Sequence, residues 1–233
     1  MDDKKVIWVI DIHLNFLSDT DTKRFINLIQ KKSPDVLLVG GDTGEAPDVD
    51  SYLKKLERSI DAKICFVLGN HDFYKSSISK VRKKVRSISN SSDRLIYLDE
   101  TSYVELSKDT ALIGHSSWAD GRFGDYEKSY VMLNDYLLIE EFIGLDKAQR
   151  FKKLNKLGDE AAFQLKTNLE KAVKHYKNIL CLTHVPPFRE SCWHGGKISD
   201  DDYLPHFACK AVGDILIISK SAIPNYDEEL QRE

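Results

Sequence analysis

Four short apolar runs in this chain each end abruptly in a polar cluster. Val6-Ile7-Trp8-Val9-Ile10 runs into Asp11-Ile12-His13, and Val36-Leu37-Leu38-Val39 runs into Gly40-Gly41-Asp42. Ile64-Cys65-Phe66-Val67-Leu68 runs into Gly69-Asn70-His71-Asp72, and Ile179-Leu180-Cys181-Leu182 runs into Thr183-His184. Short apolar runs of this kind read as buried strands. In open α/β sheets, ligands bind beyond the carboxyl ends of the strands. Polar groups at all these ends therefore predict one shared crevice.

The segments between the runs support an α/β fold. Apolar residues at helical spacing predict helices over Asp19–Lys32, Ser51–Ile60 and Ser76–Ser89. Strand, helix, strand in that order implies parallel strands with crossover helices. The middle differs: Leu95–Leu98, Tyr103–Leu106 and Thr110–Ile113 read as a hairpin or meander, which predicts a mixed sheet or two sheets. A Gly-rich loop over residues 118–125 comes next, and then a helical stretch over Asn134–Phe142, read as lid or packing. Steps of three and four from Phe151 to Tyr176 predict a long amphipathic helix over Asp146–Tyr176, and a last helix is predicted over Lys210–Ser219.

Bulk properties narrow the function classes. With 233 residues, 42% of them hydrophobic, the chain is expected to form a single globular domain over 1–233. A formal net charge of −3 gives no electrostatic reason to expect nucleic acid or an acidic membrane surface as partner. The start, Met1-Asp2-Asp3-Lys4-Lys5, has acids where a signal peptide carries positive charge, so a soluble, cytoplasmic protein is expected. Cys65, Cys181, Cys192 and Cys209 form no C-x-x-C pair and predict neither a disulfide framework nor a structural zinc site.

The polar clusters suit a metal pair. Asp11 and His13, two apart in a segment read as extended, are expected to point to one side. Asp42 offers a carboxylate able to bridge two cations, Asn70 an amide oxygen, and His184 an imidazole nitrogen. A mixed oxygen and nitrogen set without thiolate favours Mn, Fe or Zn. Two such ions about 3.5–4 Å apart clamp a phosphoryl group and acidify water. His71 is placed to protonate a leaving oxygen, and Asp72 to orient His71.

Asp11-x-His13, Gly41-Asp42, Gly69-Asn70-His71-Asp72 and Thr183-His184, in this order, resemble the motifs of the calcineurin-like metallophosphoesterases over residues 6 to 215. The resemblance implies a four-layer α/β/β/α sandwich and two divalent or trivalent transition-metal ions. It implies Asp11 and His13 on the first metal, Asp42 bridging, Asn70 and His184 on the second, and His71 as catalytic acid. It further implies hydrolysis of a phosphate mono- or diester by a hydroxide bridging the metals, with a small phosphate ester as substrate.

Two departures qualify it. Gly41-Asp42-Thr43-Gly44-Glu45 lacks the Asp-Arg-Gly extension of the protein Ser/Thr phosphatases, which argues against a phosphoprotein substrate. The family's late Gly-His-x-His has no counterpart after His184, which reads as a truncated or frame-shifted member. The alternative is a non-catalytic binding scaffold of the same fold, and a second rival is a nuclease of the superfamily. Several residues have plainer readings: His115 as a satisfied or pocket-lining histidine, Arg122 as a surface residue, and Lys80–Arg86 as the solvated side of a helix. His194 is a candidate substitute ligand, set against the plainer reading that a loop residue rarely holds ligand geometry without support.

Overall fold

The computed structural model describes residues 4–221. The first half alternates β1 (Val6–Val9), α1 (Asp19–Gln30), β2 (Val36–Val39), α2 (Val49–Ser59), β3 (Lys63–Phe66), α3 (Ile78–Asn90) and β4 (Leu95–Tyr97). The antiparallel hairpin β5 (Val104–Ser107) and β6 (Thr110–His115) comes next, then α4 (Asp135–Leu138), the long α5 (Lys147–Ala172) and β7 (Asn178–Thr183). A small hairpin of β8 (Trp193–His194) and β9 (Lys197–Ile198), then α6 (Leu204–Phe207) and α7 (Lys210–Ser221), complete the described chain.

Local chemistry explains the helix starts. Ser18 and Ser77 cap α1 and α3 by accepting the backbone N–H of Asp21 and Lys80. Asp146 and Gln149 form a capping box at α5: the Asp146 carboxylate accepts the Gln149 N–H at 2.8 Å, and the Gln149 side chain accepts the Asp146 N–H at 2.9 Å.

Two sheets form. The first is all parallel, in the order β1-β2-β3-β4; the second is β5-β6-β7, with β6 and β7 parallel. Side chains alternate across each strand, and the alternation sorts them into layers. Leu37, Val39, Ile64 and Phe66 pack with the helices α1 to α3 on one face of the first sheet. Val36, Leu38, Cys65 and Val67 face the other way and meet Val104, Leu106, Leu112 and Leu182 of the second sheet. Ala111 and Ile113 turn outward onto Ala161, Leu165 and Leu169 of α5 and Val212 of α7. The order is therefore helix, sheet, sheet, helix. Among the described residues no strand pairs the outer edge of β7, and on that side Trp8 (62% exposed) and Leu180 (46% exposed) face the inter-sheet layer.

The structure corrects several expectations. Leu95–Tyr97 joins the first sheet, parallel to β3, and is no part of a meander. An apolar triplet reads identically in either setting, and α3 supplies the crossover that allows the parallel one. Only Asp135–Leu138 of the predicted Asn134–Phe142 helix is helical; Phe142 turns inward beside Trp118. The long loop after His184 contains β8, β9 and α6. The stretch from Pro224 to Glu233, where the family's late Gly-His-x-His has no counterpart in the sequence, lies outside the described residues. Cys65, Cys181, Cys192 and Cys209 are all unpaired thiols. Among the described residues no helix is long and apolar enough to cross a membrane.

Candidate metal centre

The carboxyl ends of β1, β2, β3 and β7 meet in one cleft of about 790 Å³, lined by Asp11, His13, Asp42, Asn70, His71 and His184. Six of the seven predicted site residues thus share one surface. Asp11 and His13 do not reach it as an extended pair. Asp11 (φ 53°), His13 (φ 40°) and Asp42 (φ 53°) all take left-handed backbone conformations. For residues other than glycine these are uncommon, and they collect at functional sites because the surroundings must hold them. Here the holding bonds run between the two strand ends: Asp11 N–H donates to Gly41 O at 3.2 Å, and His13 N–H donates to Asp42 O at 2.9 Å.

Asp72 is the exception among the predicted residues. Its carboxylate is fully buried and does not orient His71. It accepts three backbone N–H groups, from Asp42 and Gly44 at 2.9 Å and from Gly69 at 2.8 Å. Asp72 therefore clamps the β2 and β3 ends together and so places Asp42. Burial, and next the nearby Asp42, push the Asp72 carboxyl pKa up, against the pull of those amides.

Asp42 occupies the centre. Its Oδ2 lies 3.7 Å from His13 Nε2 and 3.9 Å from His71 Nε2. Its Oδ1 lies 3.7 Å from His184 Nε2 and accepts the His71 backbone N–H at 2.9 Å. The two oxygens thus face different partners. Donor atoms sharing one ion at about 2.0–2.2 Å lie roughly 3–3.5 Å apart. Two groups come near that spacing, with all donor atoms within 4.8 Å of one another: His13, Asp42 and His71, and Asp11, Asp42 and His184. The expected sets differ in one respect. Asp11 lies on the His184 side, its Oδ1 3.8 Å from His184 Nδ1, whereas His13 pairs with His71.

The polarity of the His184 position is that of a cation site. His184 Nδ1–H donates to Gly40 O at 2.9 Å. Its Nε2 faces Asn70 Oδ1 at 3.2 Å. The Asn70 amide is oriented in turn, because its Nδ2 donates to Asp135 Oδ1 at 2.8 Å. His184 Nε2, Asn70 Oδ1 and Asp42 Oδ1 therefore converge. An imidazole nitrogen, an amide oxygen and a carboxylate oxygen together form a donor set that a cation would take. A metal-binding imidazole that gives its second N–H to a backbone carbonyl is the usual arrangement. At the other position, His13 Nδ1 and His71 Nδ1 are buried without a hydrogen-bond partner. The residues present fit a bound ion pair.

Electrostatics agree. Burial raises the Asp42 pKa, and the neighbouring negative charges of Asp11 and Asp135 add to the rise. Among the described residues lining the cleft, Lys197 is the only lysine or arginine. Burial, then the adjacent His13, lower the His71 pKa. Crowded carboxylates with little positive charge nearby favour a cation.

Asp135 escaped the sequence reading. It lies far from Asn70 in the chain, on a short helix, and no motif marks it. It accepts both Asn70 Nδ2–H and, at 2.7 Å, Tyr74 O–H. His115 and Arg122 take structural places. His115 Nδ1 accepts the Ser117 N–H at 2.8 Å, and the ring is buried against Asp99. Arg122 pairs with Asp120 and Asp159. His194 lines the cleft but belongs to neither ligand group.

Glycine is required at two points. A Cβ on Gly69 would fall on the Asp42 carboxylate and within 2.6 Å of His184 Cε1. Gly41 has φ +97°, and a Cβ there would lie 2.7 Å from His184 Nδ1.

The chain also resembles known proteins. The family model described as calcineurin-like phosphoesterase matches residues 5–217. A comparison with curated proteins finds no match. Among solved structures, the phosphopantetheinyl hydrolase PptH of Mycobacterium tuberculosis is similar in fold, with a TM-score of 0.66 and 14% sequence identity. The similarity covers 91% of this chain and 78% of that one.

Proposed function

The chain belongs to the calcineurin-like phosphoesterase family, and on that footing we propose that it is a two-metal hydrolase of small phosphate mono- or diesters. The observation that carries this reading is the division of Asp42: one oxygen toward His13 and His71, the other toward His184. When bound, two divalent or trivalent ions such as Mn, Fe or Zn would acidify water and neutralise charge on the phosphoryl oxygens.

The chain's own residues have separable tasks in this scheme. Asp42 bridges the two positions. His13 serves one, and Asp11, Asn70 and His184 gather at the other. Asp72 holds the Asp42 backbone, and Asp135 turns the Asn70 oxygen inward. His71 lines the cleft beside Asp42 and is the group we assign to hand a proton to the leaving oxygen. Coordination left open by these few donors admits substrate, as catalytic sites require.

The test is metal content and hydrolysis of p-nitrophenyl phosphate and bis(p-nitrophenyl) phosphate, comparing the wild type with Asp42→Asn. The wild type should carry two ions per chain, and the variant should lose both along with activity. Even residues that only support metal ligands are worth about 10–100-fold, so a direct bridging ligand should cost at least that. A wild-type chain that binds no transition metal would favour the non-catalytic scaffold.

A further inference from the structure

The candidate metal ligands line a cleft much larger than a phosphoryl group. Its volume, about 790 Å³, lies toward the upper end of the range of roughly 300–1,000 Å³ that holds whole organic ligands. Part of its lining comes from the β8–β9 hairpin and the segment at α6, and it carries three aromatic rings. Trp193 is 64% exposed, Tyr203 51% and Phe207 42%. Tyr203 and Phe207 stack on each other with ring centroids 6.2 Å apart and planes 26° apart. Trp193 Nε1–H donates to Glu190 O at 2.7 Å, which fixes the indole. Pro186 lies on the same cleft.

Exposed aromatic faces cost free energy in water unless something covers them. Three on one wall, beside a site for a charged group, form an amphipathic receptacle. Resting on the phosphoesterase reading, we infer that Trp193, Tyr203 and Phe207 form a subsite for a planar aromatic ring in the alcohol portion of the substrate. The phosphate would sit against Asp42 while the ring system, an aryl group or a nucleobase, stacks on these rings. A polyphosphate or nucleic-acid backbone fits this wall less well, since Lys197 is the only lysine or arginine on the cleft among the described residues. Lys197 makes no ion pair among them either.

The test uses the full chain loaded with manganese and ligands that cannot be hydrolysed. Calorimetric titration with inorganic phosphate, methylphosphonate and phenylphosphonate separates the anion from the ring. Wild type should bind phenylphosphonate about tenfold more tightly than methylphosphonate, within the range stacking contacts supply. Trp193→Ala and Tyr203→Ala should each remove most of that preference. Their unchanged affinity for inorganic phosphate would show that the fold and the metal site are intact. A purine nucleoside phosphonate against the matching ribose phosphonate, on the same manganese-loaded wild type, then distinguishes a nucleobase from an aryl ring. Equal binding of phenyl- and methylphosphonate, or variants that keep the wild-type preference, would overturn the subsite and leave the phosphoesterase reading standing. Failure of metal-loaded wild type to bind any of the three anions would instead refute the phosphoesterase reading and the subsite together.

Discussion

Replacing Asp135 by alanine should damage the metal centre without touching a metal ligand. In the native site Asp135 Oδ1 receives two donors, Asn70 Nδ2–H at 2.8 Å and Tyr74 O–H at 2.7 Å. Hydrogen bonds to a charged acceptor are worth about 1.5–3 kcal/mol each. Without that acceptor, only the longer contact of Asn70 Nδ2 with the Tyr74 hydroxyl, at 3.3 Å, holds the amide, and a hydroxyl serves either end. An inverted amide would turn N–H groups, which cannot hold a cation, toward the His184 position. The bias that keeps Asn70 Oδ1 inward is thus roughly the strength of one such bond, which corresponds to about one to two powers of ten in affinity at the His184 position. Manganese titration by calorimetry should resolve a weakened second ion and an unchanged first one. Tyr74→Phe is the control, since it removes the donor to Asp135 and the long 3.3 Å contact with Asn70 Nδ2 but leaves the shorter Asn70–Asp135 bond in place; its second ion should bind within about threefold of wild type. Asp135→Asn can still offer a carbonyl oxygen to Asn70 and should fall between the two. Two ions bound at wild-type strength by Asp135→Ala would refute the orientation argument.

Particular contacts elsewhere carry two more expected outcomes. His206 is buried, its Nδ1 accepting Tyr136 O–H at 2.6 Å and its Nε2–H donating to Ser129 Oγ at 3.1 Å. Burial, then the positive Arg150 and Lys147, push its pKa down to about 4. Between the unfolded value of about 6.5 and that value the unfolded chain holds the extra proton, so stability falls as pH falls through this window, by about 3 kcal/mol when complete. In denaturant titrations the stability advantage of wild type over His206→Gln should shrink by that amount between about pH 7.5 and about pH 4; parallel pH curves would contradict it. Gly69→Ala should abolish metal binding, because the new methyl occupies the Asp42 carboxylate's place, and overpacking of this kind costs about 1–3 kcal/mol of stability. A normal metal stoichiometry in that variant would mean Asp42 has room to move.

Much of the site is legible in the sequence because strand ends are local features. Ile64–Leu68 is apolar at every position, and Gly69-Asn70-His71-Asp72 just beyond it has no apolar side chain at all. That contrast needs no tertiary information. It suffices to put Asp42, Asn70, His71 and His184 on one cleft. Conformation at those ends is not legible. Asp11 and His13 look extended in sequence, yet both are left-handed, since hydrogen bonds to the β2 end decide their backbone. Asp72 looks catalytic for its place beside His71, but three amides at the β2 and β3 ends capture it. Asp135 is invisible for the opposite reason: nothing nearby in the chain announces a partner 65 residues away. Leu95–Tyr97 shows the same limit for the fold, as its neighbour in the sheet is set by packing and not by its own three residues.

The left-handed backbone at Asp11 and Asp42 has a practical consequence. Asparagine tolerates that conformation nearly as well as aspartate, whereas a branched residue does not. Asparagine at both positions should therefore preserve the shape of the cleft while removing the negative charge that draws ions into it. Under the proposed function the double variant would be a faithful but inert copy of the pocket, one that would present its aromatic wall to a ligand without consuming it.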